Sequence, residues 1–78
     1  MELRLKDLSV GDSAEVAGYA SGEAGYRDRL LAMGLTRGTS FTVIRVAPLG
    51  DPVEIDVRGF NLTLRKNEAS VLLVRKAQ

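Results

Sequence analysis

Val53-Glu54-Ile55-Asp56-Val57-Arg58-Gly59-Phe60-Asn61-Leu62-Thr63-Leu64-Arg65 is the stretch that decides the fold of this chain. Val53, Ile55 and Val57 alternate with Glu54, Asp56 and Arg58; Phe60, Leu62 and Leu64 alternate with Asn61, Thr63 and Arg65. A strand throws successive side chains to opposite faces, so each run reads as a half-buried strand with one apolar face. The glycine between them predicts a β-hairpin, although Arg-Gly is weaker turn chemistry than Asn-Gly. Glu54 and Asp56, with Asp51 nearby, then form the solvated side of a strand rather than a pair of catalytic carboxylates.

Outward from the hairpin, Pro48-Leu49-Gly50-Asp51-Pro52 reads as a loop, because neither proline can donate to a sheet ladder. Before it, Ser40 to Ala47 is a β-branched run. Phe41, Val43, Ile44 and Val46 occupy both of its faces, which predicts a central strand covered on each side. Thr36-Arg37-Gly38-Thr39 is a turn. A helix is predicted over Tyr26 to Met33, where Tyr26, Leu30 and Met33 fall at i, i+4 and i+7. Gly34 takes the left-handed conformation that ends such a helix, and Leu35 then packs back on Leu30.

Ser21-Gly22-Glu23-Ala24-Gly25 reads as a loop, and Ala14–Ala20 as a strand with small residues on one face. Gly18 permits a bulge there. Met1 to Leu8 is an extended entry that closes in the turn Ser9-Val10-Gly11-Asp12. Downstream, Lys66 to Ser70 forms one helical turn and Val71 to Val74 a last strand. The expected fold is mainly β: an SH3-like, partly open barrel of about five strands, with one short helix inserted between the first two. An OB-type barrel is the alternative.

The 78 residues hold one domain, 1–78, with space for a single layer of side chains inside a barrel and none for a deep substrate cavity. The chain begins at Met1 and reads as a complete short frame. Eleven basic residues face ten acidic ones, scattered along the chain, so no net field steers it to nucleic acid or an anionic membrane. Cysteine and histidine are both absent, which removes disulfides, thiolate or imidazole metal sites and the usual general bases. No glycine precedes a lysine and no Gly-x-Gly occurs, so phosphate-loop and dinucleotide fingerprints are missing. The chain is therefore expected not to be an enzyme, and to carry no catalytic, cofactor-binding or metal-ligating residues. Met33 is read as core and Met1 as no ligand.

Nucleic-acid binding needs exposed aromatics among basic residues. Of the four aromatics, Tyr26, Phe41 and Phe60 are placed in the core or at the barrel edge, leaving only Tyr19 as an exposed candidate. No apolar run reaches a membrane span and no signal peptide is visible, so a cytoplasmic location without membrane insertion is expected.

The order of motifs from Tyr26 through Arg65 resembles the ferrous iron transport protein A (FeoA) family. It is carried by Arg29-Leu30-Leu31-Ala32-Met33-Gly34-Leu35, by Gly38, by Ala47-Pro48-Leu49-Gly50-Asp51-Pro52-Val53-Glu54-Ile55 and by Leu62-Thr63-Leu64-Arg65-Lys66. Gly11 also fits. The resemblance implies an SH3-like domain and a small accessory protein of ferrous iron uptake. Its partner would be a ferrous-iron permease with a cytosolic GTP-binding domain. A similar domain ends some iron-dependent repressors, which is one alternative role; a small nucleic-acid-binding barrel is the other. A permease activator could also donate an arginine to developing phosphate charge; Arg27 and Arg29, off the helix's core stripe, are the candidates.

A module without a pocket works through its surface, and the informative residues are apolar ones that the core does not need. Leu31 lies off the helical stripe, near Arg27, and Pro48 and Leu49 sit at a loop tip. Arg27, Leu31, Pro48 and Leu49 are thus the candidate partner-binding residues. The competing expectations are that Leu31 covers the following loop and that Leu49 plugs the barrel end. Homo-oligomerisation through a free sheet edge is also expected as a possibility.

Overall fold

The predicted hairpin is present, and the rest of the sheet is built outward from it. A computed structural model describes residues 3–20 and 24–76. β4 (Val53–Val57) and β5 (Phe60–Leu64) pair antiparallel with Val57 opposite Phe60, leaving Arg58 and Gly59 as a two-residue turn. Both turn residues have positive φ, 53° and 85°, the primed geometry whose twist matches that of the flanking strands.

The remaining strands are β1 (Leu3–Arg4), β2 (Ser13–Tyr19), β3 (Ser40–Val46) and β6 (Leu72–Lys76). All pairings are antiparallel and the sheet order is β1-β6-β2-β3-β4-β5. Six strands are present where about five were expected. The extra one is β1, where Leu3 pairs with Val74 and Arg4 with Leu73. The entry is not extended throughout: after β1 it winds into a 3-10 turn over Leu5–Asp7 that buries Leu5. The main helix, α1 (Ala24–Ala32), consequently lies between the second and third strands. Its start falls before Tyr26, so Ala24 and Gly25 belong to helix rather than loop; residues 21–23 of that expected loop, and Met1, lie outside the described residues.

One core serves every strand. Ala14 and Val16 from β2, Phe41 and Val43 from β3, Ile55 from β4, Leu64 from β5 and Leu72 and Val74 from β6 are all buried together. Each fully buried leucine or valine of this kind stabilises the fold by about 1.5–3 kcal/mol. The small inward residues of β2 are as expected, and its register shifts between Val16 and Gly18.

One expectation is corrected and one is narrowed. β3 is not covered on both faces: its register with β4 shifts between Val43 and Arg45, and Ile44, the extra residue, is left 39% exposed. Phe60 is at the sheet edge, on β5, and not in the core: it is 71% exposed, since the inward face of β5 runs out of covering layer at the hairpin turn.

Helix α1 ends as its sequence requires. Gly34 has φ +95°, its N–H donates to the Leu31 carbonyl and the Leu35 N–H donates to the Leu30 carbonyl, both at 3.0 Å. These are the paired bonds of a Schellman ending, and they bring buried Leu35 back over buried Leu30. The Tyr19 hydroxyl donates to the Leu35 carbonyl. Tyr19 is thus half-buried against the core rather than an exposed ring, and burial pushes its phenol above the ordinary tyrosine range. A second helix, α2 (Lys66–Ser70), fills the expected helical turn before β6.

Candidate functional site

The loop between β3 and β4 is held by three hydrogen bonds. The Gly50 N–H donates to the Ala47 carbonyl at 2.7 Å and the Ala47 N–H to the Pro52 carbonyl at 3.1 Å. The Asp51 carboxylate accepts the Lys66 N–H at 2.8 Å, fastening the loop to the first turn of α2. Leu49 stands at its tip, 95% exposed, beside exposed Pro48. Leu49 therefore does not plug the barrel end.

Leu49 forms one wall of an open groove of about 570 Å³. Val53 and Ala69, both nearly buried, contribute its apolar floor, and Arg4, Lys6 and Lys66 stand around it. The Arg4 guanidinium donates to the Ser70 carbonyl at the end of α2, which fixes its position at the rim.

On α1, Arg27 and Leu31 are exposed, Leu31 to 39%. Among the described residues Arg27 reaches only its neighbour Asp28, at 3.9 Å, with both side chains more than half exposed. Arg29 differs from the expectation of a free arginine. Its Nη1 lies 3.0 Å from Oε2 of Glu68, a residue only 7% exposed, so it joins α1 to α2.

The other carboxylate oxygen of Glu68 accepts the Arg65 N–H at 3.0 Å, capping α2. That backbone bond is the main reason the Glu68 carboxyl is held below the ordinary range. Burial opposes it, and the hydrogen bond and charge of Arg29, with a smaller contribution from Arg65, reinforce it.

The four expected contact residues are all exposed, but they do not share one site. Neither Arg27 nor Leu31 lines the groove at Leu49. Helix α2 is in contact with both α1 and the 3-10 turn at Leu5–Asp7. Phe60, like Ile44, is an apolar surface residue that the sequence pattern did not mark as exposed. With Leu62 and Met33 it lines a separate depression between the hairpin and the end of α1. Its position directly after the turn glycine was the available signal, because a strand's first residue lies at the margin of any covering layer.

Glu54 and Asp56 are half-buried on the outward face of β4, and one covered oxygen of Asp56 has no hydrogen-bond partner among the described residues. Among the described residues no group of three or more acidic, histidine or cysteine side chains is placed to hold a metal ion. No described helix is long and apolar enough to cross a membrane.

Residues 3–76 match the family model of the FeoA domain. The chain is 36% identical over 72 residues, 92% of its length, to an Fe(2+) transport protein A/Fe(2+) transporter FeoB fusion protein from Porphyromonas gingivalis, and spans only 8% of that relative. It is similar to the solution structure of FeoA from Chlorobium tepidum, at 43% identity and a TM-score of 0.83, covering 97% of this chain and 71% of that one. It is also similar to the zinc-complexed crystal structure of FeoA from Stenotrophomonas maltophilia, a prokaryotic SH3 domain protein. There the identity is 25% and the TM-score 0.79, over 92% of this chain and 88% of the other.

Proposed function

The chain belongs to the FeoA family, and on that premise we propose that it is a cytoplasmic accessory protein of ferrous iron uptake, acting by binding and not by catalysis. Its partner is a ferrous-iron permease with a cytosolic GTP-binding domain, met on the cytosolic side. The observation that carries this reading is the Porphyromonas gingivalis fusion, in which a segment related to this chain shares one polypeptide with the FeoB transporter. Tethering of two modules raises their effective mutual concentration to about the millimolar range, an arrangement that suits domains acting on each other.

The contacts in this reading come from Arg27 and Leu31 on α1 and from Pro48 and Leu49 on the β3–β4 loop. All four are exposed and none is needed by the core. If an arginine assists phosphate chemistry in the permease, it is Arg27, because Arg29 is held by Glu68.

Calorimetric titration of the chain into the full-length permease in nanodiscs tests the reading. The titration is run with GDP, with a non-hydrolysable GTP analogue and without nucleotide. Saturable binding is expected, and an affinity that changes with nucleotide would mean coupling to the GTP cycle. No heat and no co-elution in any of the three states would overturn the proposal.

A further inference from the structure

We propose that the groove beside Leu49 is a docking site for an acidic, apolar segment of a partner protein: a large aliphatic side chain flanked by carboxylates. The inference deepens the permease reading and rests on it for the partner's identity, but the chemistry of the groove stands on its own observations.

The first observation is charge. The chain as a whole is balanced, eleven basic residues against ten acidic. The groove is not: Arg4, Lys6 and Lys66 line it, and among the described residues no carboxylate does. Elsewhere half of the cations are paired, Arg27 with Asp28, Arg29 with Glu68, Arg75 with Glu15 and Lys76 with Asp12, and the other four, Arg37, Arg45, Arg58 and Arg65, line no groove together with Leu49. Among the described residues Arg4, Lys6 and Lys66 form no ion pair. Asp51 and Asp7 accept the backbone N–H groups of Lys66 and Arg4 and form no ion pair with either side chain. Three unpaired cations around one concave surface favour a ligand that brings negative charge.

The second observation is the apolar wall. Leu49 is 95% exposed although its loop is fastened at both ends and to α2. A leucine held out in water by an ordered turn forgoes the stabilisation that burial of the side chain provides. A partner side chain seated on Val53 and Ala69 would cover Leu49 and recover that stabilisation.

The third observation is which polar groups remain. The Lys66 N–H and the Ser70 carbonyl are both satisfied within the protein. Those two backbone groups are therefore not free for a ligand, and the groove offers a partner its side-chain charge and apolar surface. Its concavity also suits an inserted side chain better than a flat bilayer.

The test is selection from a phage-displayed library of random 12-residue peptides on the whole chain. Synthetic versions of the enriched peptides are then titrated by fluorescence anisotropy. Enriched peptides are expected to carry leucine, isoleucine or phenylalanine next to aspartate or glutamate. Leu49→Asp and the double variant Lys6→Glu/Lys66→Glu are expected to weaken binding at least tenfold, and Phe60→Ser to leave it unchanged. Circular dichroism melts check that each variant is folded. Enrichment of basic or uncharged sequences, no enrichment, or binding indifferent to the groove variants would overturn the proposal. So would retention on phosphatidylserine vesicles that depends on Leu49 in the absence of peptide selection. Because no permease takes part, failure here leaves the permease titration standing, and failure of that titration leaves the groove's chemistry standing.

Discussion

Arg29 on α1 and Glu68 on α2 meet at 3.0 Å, yet they are unequal partners: the arginine side chain is 65% exposed and the glutamate side chain 10%. Solvent screens the arginine end, so the attraction itself is modest. Glu68 matters more, because its carboxylate also caps α2 through the Arg65 N–H.

Glu68→Ala is therefore expected to destabilise the protein by about 1–3 kcal/mol, from a lost cap and a lost buried carboxylate bond. Arg29→Ala should cost under about 1 kcal/mol. Urea melts at neutral pH check the ranking; an arginine variant as damaged as the glutamate variant would contradict it.

The lowered Glu68 carboxyl has a consequence in acid. Its contribution is complete above the ordinary glutamate range, near pH 4.3, and is lost as pH falls through the depressed folded value. Glu68→Gln should flatten part of the acid limb of the stability curve, measured as Tm between pH 6 and pH 2.

Tyr19 acts at the opposite end of the scale. Its raised phenol keeps the proton it donates to Leu35, so its contribution is complete below about pH 10 and is lost as pH rises through the higher folded value. Tyr19→Phe should cost about 1 kcal/mol at neutral pH and remove that alkaline loss. Denaturant midpoints at pH 7, 10 and 11.5 test both statements.

Neighbouring leucines on α1 should behave differently. Leu30 is fully buried and Leu31 is 39% exposed. Leu30→Ala is expected to cost about 2–5 kcal/mol and Leu31→Ala less than about 1 kcal/mol. Equal losses in thermal melts would mean that Leu31 serves the fold and not a partner.

The hairpin turn holds a non-glycine residue, Arg58, at φ 53°. Asparagine tolerates that conformation better, so Arg58→Asn should raise stability by about 0.5–1 kcal/mol. Gly59→Ala should lower it by about 1–2 kcal/mol, since φ there is 85°. A stabilised alanine variant would argue against the turn geometry.

How much of this was legible in the sequence depended on whether one residue's neighbours in the chain set its environment. The alternation of Val53 to Leu64 and the Gly34-Leu35 ending did so, and both are present in the structure as the residues predict. Ile44 misled because a register shift is a property of two strands, and the β3 residues alone do not reveal it. Phe60 misled because alternation assigns a face but not the extent of what covers that face. Arg29 looked free because its partner lies 39 residues away on another helix. The loop at Pro48 and Leu49 was read correctly as exposed from its prolines. The cations gathered beside it come from residues 4, 6 and 66, which only the fold brings together.

The pairing of Leu3 with Val74 has a consequence for how this domain is carried. Antiparallel neighbours at the two ends of the described chain mean that polypeptide continuing before residue 3 and polypeptide continuing after residue 76 depart from the same corner of the molecule. A linker at either end then tethers the domain at one and the same corner.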